Sequence, residues 1–152
     1  MIQAWIHTAL LAALPISEIR GALPAVVLLG EIPWWGAYIS AVIGNSFVVI
    51  PLFFGLMALR HTLMRVFPRA GIAMDWWIEK SRTKLHANYE KYGWLALYVF
   101  TAIPFPLTGV YTATAAAVAM RIPFYKTFPS LLAGVMTSGV IVLILIKIGS
   151  GI

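Results

Sequence analysis

The stretch LPISEIRGALP, residues 14–24, places a carboxylate and a guanidinium inside an otherwise apolar part of the chain. Before Arg60 the charged residues are Glu18, Arg20 and Glu31, and two of these three fall within this stretch. A proline lies near each end of it, and proline interrupts a helix because it lacks an amide hydrogen and clashes with the preceding turn. The stretch therefore predicts a break between two short helices, with ionisable side chains at the break.

The composition of the chain is that of an integral membrane protein. Of its 152 residues, 61% are hydrophobic and 11% are charged, whereas soluble domains are about half apolar and about a quarter charged. The chain has no cysteine, and its three histidines are far apart, so we predict neither a disulfide nor a metal site. It shows no Ser-His-Asp set and no carboxylate pair beside a nucleophile, so we expect neither an enzyme nor a bound cofactor.

The lengths of the apolar stretches predict an all-α protein in which some helices do not cross the membrane. A span needs about 20 residues, because a helix rises about 1.5 Å per residue and the hydrocarbon core is about 30 Å thick. The apolar stretches are 1–14, 19–30, 34–59, 94–120 and 124–148. The first two are too short, which predicts a re-entrant hairpin that enters and leaves on one side. Prolines break the fourth, which predicts a second hairpin.

Two parts of the chain resemble each other at an offset of 90 residues. Residues 30–44, GEIPWWGAYISAVIG, align with residues 120–134, MRIPFYKTFPSLLAG, sharing Ile-Pro, an aromatic pair and a final glycine. With one hairpin and one full span each, the two halves cross the membrane once each, so the second half is inverted relative to the first. We therefore predict an inverted repeat, an architecture common among transporters. Within one membrane domain, 1–152, its parts are repeat 1 (1–60), a linker (61–91) and repeat 2 (92–152).

The linker region is strongly basic. Residues 60–91 hold seven of the eleven lysines and arginines against three acids, and cytoplasmic loops are enriched in lysine and arginine. Apolar residues from Met74 to Tyr92 recur on one helical face, so we predict an amphipathic helix on the cytoplasmic membrane surface. Both chain termini are then extracytoplasmic. Four plain spans are the alternative, but they would put Arg121 and Lys126 outside, against the charge bias.

The stretch PFPLTG, residues 104–109, predicts a second break that meets the first near the membrane midplane. Non-helical backbone at that depth is tolerated where it is buried in protein or lines a water-filled cavity. The helix after each break points its N-terminal amides inward, which favours an anion. Thr108, Tyr111 and Thr112 are spaced to offer hydroxyl groups on one face. Asn45 places an amide within the third stretch, where we expect an interhelical hydrogen bond or a pathway lining.

Glu18 and Arg20 have two interpretations. An ionisable group inside a membrane is costly and marks a functional site by default, but a charge pair can also merely clamp a hairpin. Residues two apart do not face each other on a helix, whereas a turn or an extended backbone would let Glu18 and Arg20 pair. We favour function, with Glu18 as the protonatable group and Arg20 as an anion contact or counter-ion.

Both breaks resemble motifs of a known family. Glu-x-Arg-Gly-x-x-Pro and Pro-x-Pro-x-Thr-Gly are similar to motifs of the small multidrug export protein family, usually grouped with the DedA, or SNARE-associated, membrane proteins. The resemblance covers essentially the whole chain, although Leu107 stands where the family is expected to have glycine. The matching residues are Glu18, Arg20, Gly21, Pro24, Pro104, Pro106, Thr108 and Gly109. The resemblance implies two facing re-entrant hairpins and a role in drug export or lipid translocation.

We predict a small transporter of the inner membrane, coupled to protons, that binds its substrate between the two breaks. The resemblance implies a lipid or polyprenyl-phosphate flippase or scramblase as an alternative. A non-transporting scaffold or assembly factor is another, but a scaffold does not need paired helix breaks. A cationic drug would favour an unpaired Glu18, whereas an anionic head group would favour Arg20 and the inward helix ends. The helix ends favour an anionic or amphipathic substrate.

The expected partners of the chain are membrane lipids and a second copy in a two-fold dimer. Nucleic acid is not expected, because the sequence shows no folded basic face with groove-reading elements. The candidate residues for substrate and proton binding are Glu18, Arg20, Gly21, Pro24, Asn45, Pro104, Pro106, Thr108, Gly109, Tyr111 and Thr112.

Overall fold

The structure, a computed structural model, describes residues 2–30, 32–66, 72, 76, 92–104 and 109–150. These ranges form six continuous α-helices and contain no strand. The predicted all-α class is therefore confirmed for the described part of the chain. The helices are α1 (Ile2–Ala13), α2 (Glu18–Leu29), α3 (Trp34–Val66), α4 (Tyr92–Ala102), α5 (Val110–Ala119) and α6 (Phe124–Ser150).

Two helices, α3 and α6, are long and apolar enough to cross a membrane. Their apolar segments, Trp34–Thr62 and Phe124–Gly149, have 29 and 26 residues, or about 40 Å each at the helical rise. Only 28% and 33% of the most apolar parts are buried inside the protein, so most of their apolar surface faces outward, as in a lipid-exposed span. α3 continues past the apolar stretch 34–59 to Val66, because no proline or glycine interrupts it there.

The two long helices pack antiparallel to each other. Tyr38, near the start of α3, donates a hydrogen bond of 3.0 Å from its hydroxyl to the carbonyl oxygen of Met136 in α6. Phe53, four turns further along α3, packs on Phe124 at the start of α6, with ring centroids 5.2 Å apart. A later residue of α3 therefore contacts an earlier residue of α6, so the two helices run in opposite directions.

The short helix α1 runs beside the first half of α3 and in the same direction. Near its start, the Trp5 ring packs edge-on against the Trp35 ring, with centroids 5.6 Å apart. Further along, the carbonyl of Ala9 lies so close to Gly44 that a Cβ there would overlap it. Glycine at 44 therefore permits the close approach of the two backbones.

The next helix, α2, returns toward the end of the molecule at which α1 begins. Near its start, Ile19 lies against Gly139 in the middle of α6. Near its end, Val27 lines a cavity together with Leu143 of α6. Later residues of α2 therefore contact later residues of α6, so these two helices are parallel. Because α6 is antiparallel to α3, α2 is antiparallel to α3 as well. The helix ends at Gly30, whose φ of 67° is a left-handed conformation that glycine adopts readily.

The fourth apolar stretch is broken into α4 and α5, as its prolines indicated. In α4, the Tyr98 carbonyl lies against Gly134 of α6, and the Tyr98 hydroxyl hydrogen-bonds the Thr137 hydroxyl at 3.1 Å. At the far end of α5, the Val118 carbonyl accepts a hydrogen bond of 3.1 Å from Arg60 Nη1. The end of α5 therefore lies beside the last part of α3.

Several local details recur in the two halves of the chain at the offset of the sequence repeat, to within one residue. The Pro33 carbonyl accepts hydrogen bonds from the amides of residues 36 and 37, and the Pro123 carbonyl accepts them from residues 126 and 127. Just before the two Ile-Pro pairs, Gly30 and Arg121 have φ values of 67° and 57°. Gly44 of α3 and Gly134 of α6, each in close contact with a backbone carbonyl of a short helix, are likewise 90 residues apart.

The predicted amphipathic helix of the linker lies outside the described residues, apart from the helical residues Ile72 and Trp76. Tyr92, predicted on the same apolar face, is instead the first residue of α4.

Candidate functional site

Glu18 begins α2 with an uncommon backbone conformation. Its φ is 44°, in the left-handed region that residues other than glycine seldom occupy. Its amide donates a hydrogen bond of 2.9 Å to the Leu14 carbonyl, which closes the turn over residues 14–17. Such conformations cost free energy and persist where surrounding contacts hold them in place. For Glu18 those contacts come from α5.

The Glu18 carboxylate lies at the N-terminus of α5. The backbone amides of Tyr111 and Val110, in the first turn of that helix, donate hydrogen bonds to it, and Glu18 is only 8% exposed. The free amides and the dipole of a helix N-terminus both favour a negative charge. Gly109 allows the approach, because a Cβ at that position would overlap the carboxylate. The end of the first helix break and the start of α5 are thus in direct contact.

Arg20 pairs with Glu18. Its Nη2 atom lies 3.7 Å from Glu18 Oε2, and both side chains are largely buried. Side chains two residues apart on a regular helix point in different directions. Glu18 can nevertheless reach Arg20, because its backbone at the first residue of α2 is left-handed and turns its side chain away from the usual helical direction. The sequence left open whether these two charges can pair, and the conformation of one residue decides it.

Tyr111 connects α5 to the end of α1. Its hydroxyl donates a hydrogen bond to the carbonyl oxygen of Ala13, the last residue of α1, and helix ends leave such carbonyls without an intrahelical partner. Thr112 was expected to offer its hydroxyl on the same face. It instead exchanges hydrogen bonds with the amide and the carbonyl of Gly109 at 3.1 Å, which caps the first turn of α5.

The other candidates at the two breaks have different surroundings. Gly21 is exposed in the first turn of α2, and a Cβ there would come 2.7 Å from Ser17 Oγ. Pro24 is partly buried inside α2, and Pro104 follows α4. Pro106 and Thr108 lie outside the described residues.

Asn45 lies on the buried face of α3. It is 1% exposed, and its Oδ1 atom has no hydrogen-bond partner among the described residues. The same is true of Ser46 Oγ and Ser138 Oγ. Buried polar atoms are normally paired with protein or with ordered water. These three atoms are therefore buried polar groups without a protein partner in the described part of the chain.

Two backbone groups at the contact were not named from the sequence, the Val110 amide and the Ala13 carbonyl, although inward-pointing amides were expected at the start of the helix after the second break. Both belong to the backbone of residues with apolar side chains. The position of Val110 directly after Gly109 indicates that its amide is available as a donor, since the first amides of a helix lack intrahelical partners. Nothing in the side chain of Ala13 indicates its role.

A comparison with protein families bears on the whole of this region. A family model described as "Putative small multi-drug export protein" matches residues 18–141. The matched range begins at Glu18, directly after the first helix break, includes the second break and covers most of the chain. Neither a curated protein nor a solved structure matches the chain.

Proposed function

Because the chain belongs to the small multi-drug export protein family, we propose that it is a small polytopic membrane transporter with its substrate site where the first helix break meets α5. The observation that carries this proposal is the buried Glu18 carboxylate, which is held by Arg20 and by two amides of α5. Transporter sites are often formed by discontinuous helices whose N-termini point at anionic groups. Here a side chain of the protein itself occupies that position.

We place this site within the membrane, between two re-entrant hairpins. α1 and α2 have 12 residues each and extend about 18 Å, which is too short to cross a hydrocarbon core of about 30 Å. The return of α2 toward the start of α1 supports entry and exit on one side. α5, with 10 residues, is shorter still, and α4 is of similar length.

The two hairpins belong, in this proposal, to an inverted repeat of α1–α3 and α4–α6. The antiparallel packing of α3 against α6 supports the inversion, and the recurring glycine contacts and proline turns support the repeat. Arg60, Arg121 and Lys126 lie near the adjoining ends of α3, α5 and α6. On the positive-inside rule, this end of the molecule is the cytoplasmic one, in the inner membrane.

Protonation of Glu18 is the proposed coupling step. A carboxylate attracts both Arg20 and the start of α5, whereas a protonated carboxyl has lost the charge that both recognise. The amides of Val110 and Tyr111, beside the positive charge of Arg20, then become available to the anionic group of an amphipathic substrate. Deprotonation returns the carboxylate to the amides and expels that group. Proton uptake and anion binding are therefore favoured together.

Glu18→Gln tests this step, because glutamine keeps the size of the side chain but removes the titration. Purified protein is reconstituted into liposomes, and transport of ethidium and of fluorescently labelled phosphatidylglycerol is followed with and without a pH gradient. We expect the wild type to move the labelled lipid in response to the gradient, and Glu18→Gln to fold but lose that response. Glu31→Gln, which removes a carboxylate outside the breaks, is the matched control and should respond normally. Lipid transport by Glu18→Gln that still follows the gradient would refute the coupling.

Arg20→Lys separates substrate binding from proton coupling. Lysine keeps the charge but loses the planar fork that recognises phosphate oxygens in pairs, so we expect a larger loss for the anionic lipid than for ethidium. If Glu18→Gln and Arg20→Lys both transport like the wild type but unfold in milder detergent, the pair is a structural clamp.

A further inference from the structure

An apolar cavity of about 490 Å³ lies at the end of α2 that is remote from Glu18. It opens between α2, α3 and α6, and its walls are apolar side chains together with one lysine. Binding sites for small molecules usually have volumes of about 300–1,000 Å³ and a few polar groups in apolar walls. The lining includes Val27 and Leu28 of α2, Trp34 of α3, and Leu143, Ile146 and Lys147 of α6.

The position of the cavity along the long helices puts it at a membrane surface. Trp34 is the first residue of the apolar segment of α3, and Lys147 lies two residues before the end of the apolar segment of α6. Tryptophan is enriched at membrane interfaces. A lysine at this level extends its ammonium to the head groups while its methylene stem packs on apolar surface. The apolar walls of the cavity are therefore at the depth of the lipid acyl chains, and the Lys147 ammonium is at the depth of the lipid phosphates.

The charge of Lys147 selects among the amphiphiles that a membrane offers. Among the residues that the structure describes, no carboxylate forms an ion pair with it. A cationic amphiphile would be repelled there, and a zwitterionic lipid would bring a second positive charge close to the ammonium. An anionic phospholipid gains both the contact of its phosphate with the ammonium and the burial of an acyl chain.

We propose that this cavity binds one anionic phospholipid, with its phosphate on the Lys147 ammonium and an acyl chain between α2 and α6. The bound lipid contacts the helix that carries Glu18 and Arg20 at its other end. The inference does not depend on the transport proposal, because it concerns a different end of α2 and a different set of side chains.

The test is retention of lipid by the purified protein. The protein in neutral detergent is mixed with equal amounts of phosphatidylglycerol and phosphatidylcholine of identical acyl chains, and retained lipids are counted by native mass spectrometry. We expect the wild type to prefer phosphatidylglycerol. An exposed ion pair changes affinity by up to about fivefold, so Lys147→Gln should lower phosphatidylglycerol retention by up to that factor. Phosphatidylcholine retention should not change, and Lys147→Arg should restore the preference.

Two further variants locate the bound lipid. Lys126→Gln is the matched control, because Lys126 lies at the opposite end of α6, where its Nζ is 5.8 Å from the centroid of the Tyr125 ring; it should leave retention unchanged. Leu143→Trp fills the cavity and should reduce retention even though Lys147 is intact. Equal retention of the two lipids by the wild type, or equal losses in Lys147→Gln and Lys126→Gln, would overturn the proposal. So would retention that survives Leu143→Trp, or displacement of phosphatidylglycerol by inorganic phosphate alone.

Discussion

The Glu18 side chain caps the N-terminus of α5, because the N-cap residue of that helix has no side chain that could accept hydrogen bonds. A side-chain oxygen at the N-cap normally accepts hydrogen bonds from the first free amides of a helix. Gly109, at the N-cap of α5, has no side chain to do so, and the Glu18 carboxylate accepts these bonds from another helix. The same carboxylate is the group that we propose to titrate. Its structural and functional roles therefore act through the same two amides.

Gly109→Ala should displace the Glu18 carboxylate without straining the backbone. The φ of residue 109 is −112°, which alanine adopts freely, so the cost comes from overlap of the new Cβ with the carboxylate. We expect a loss of about 1.5–3 kcal/mol in the free energy of unfolding, the usual contribution of hydrogen bonds to a charged group. Unfolding in a denaturing detergent measures it.

Measuring Gly109→Ala in a protein that already carries Glu18→Ala tests whether the cost comes from the carboxylate. Glu18→Ala removes the three atoms nearest to a Cβ at position 109, so Gly109→Ala should cost much less in that background. The double-mutant cycle then gives a large interaction energy between the two positions. Additive costs would mean that residue 109 acts on something other than Glu18.

At the scale of helices, the breaks were predictable and their contact was only partly so. Helix lengths and the prolines near residues 15 and 104 indicated four short helices and two long ones, because those features are local. The pairing of Glu18 with Arg20 depends on a left-handed residue that the sequence does not mark. The hydrogen bonds from α5 join residues about 90 positions apart. The sequence predicted that the two breaks face each other and that the first amides of the following helices point inward, but it did not indicate that the Glu18 carboxylate would accept from them.

The close approach of α1 to α3 gives a prediction at the same scale. Gly44→Ala would push a Cβ into the Ala9 carbonyl, which is backbone and cannot rotate away. Overpacking of this kind costs about 1–3 kcal/mol. Gly55 lies in the same helix, and a Cβ added there would have nothing within 4 Å, so Gly55→Ala should be neutral or stabilising by up to about 1 kcal/mol.

Thermal unfolding in one detergent compares the two glycine variants directly. Gly134→Ala should behave like Gly44→Ala, because a Cβ there meets the Tyr98 carbonyl. Equal stability of Gly44→Ala and Gly55→Ala would argue against tight packing of α1 on α3.

At the scale of the whole molecule, positive charge distinguishes the two ends. Arg60, Arg121 and Lys126 lie where α3 ends and α6 begins, whereas Lys147 lies at the opposite end. The sequence adds the basic linker to the first of these ends. Short basic segments are retained in the cytoplasm, so we predict that the end of the molecule with Arg60, Arg121 and Lys126 faces the cytoplasm.

A reporter fused after Ile152 tests this orientation. With re-entrant hairpins and the linker in the cytoplasm, we expect an extracytoplasmic C-terminus. A fused alkaline phosphatase, which is active only outside the cytoplasm, should therefore be active, and a fused green fluorescent protein should not fluoresce. The same reporters placed within the linker serve as the opposite control. A clear cytoplasmic signal at Ile152 would favour four plain spans.

The hydrogen bonds between Glu18 and α5 also have a consequence for biogenesis. The carboxylate is made 92 residues before the Val110 amide that it accepts a bond from, and chains grow at about 5–20 residues per second, so roughly 5–20 s separate the two. During that interval the nascent first half carries its glutamate without the amides that complete its surroundings. Arg20, two residues later, is the one charged partner already synthesised nearby. Arg20 is therefore the charged group that can pair with Glu18 before the second half of the chain is synthesised.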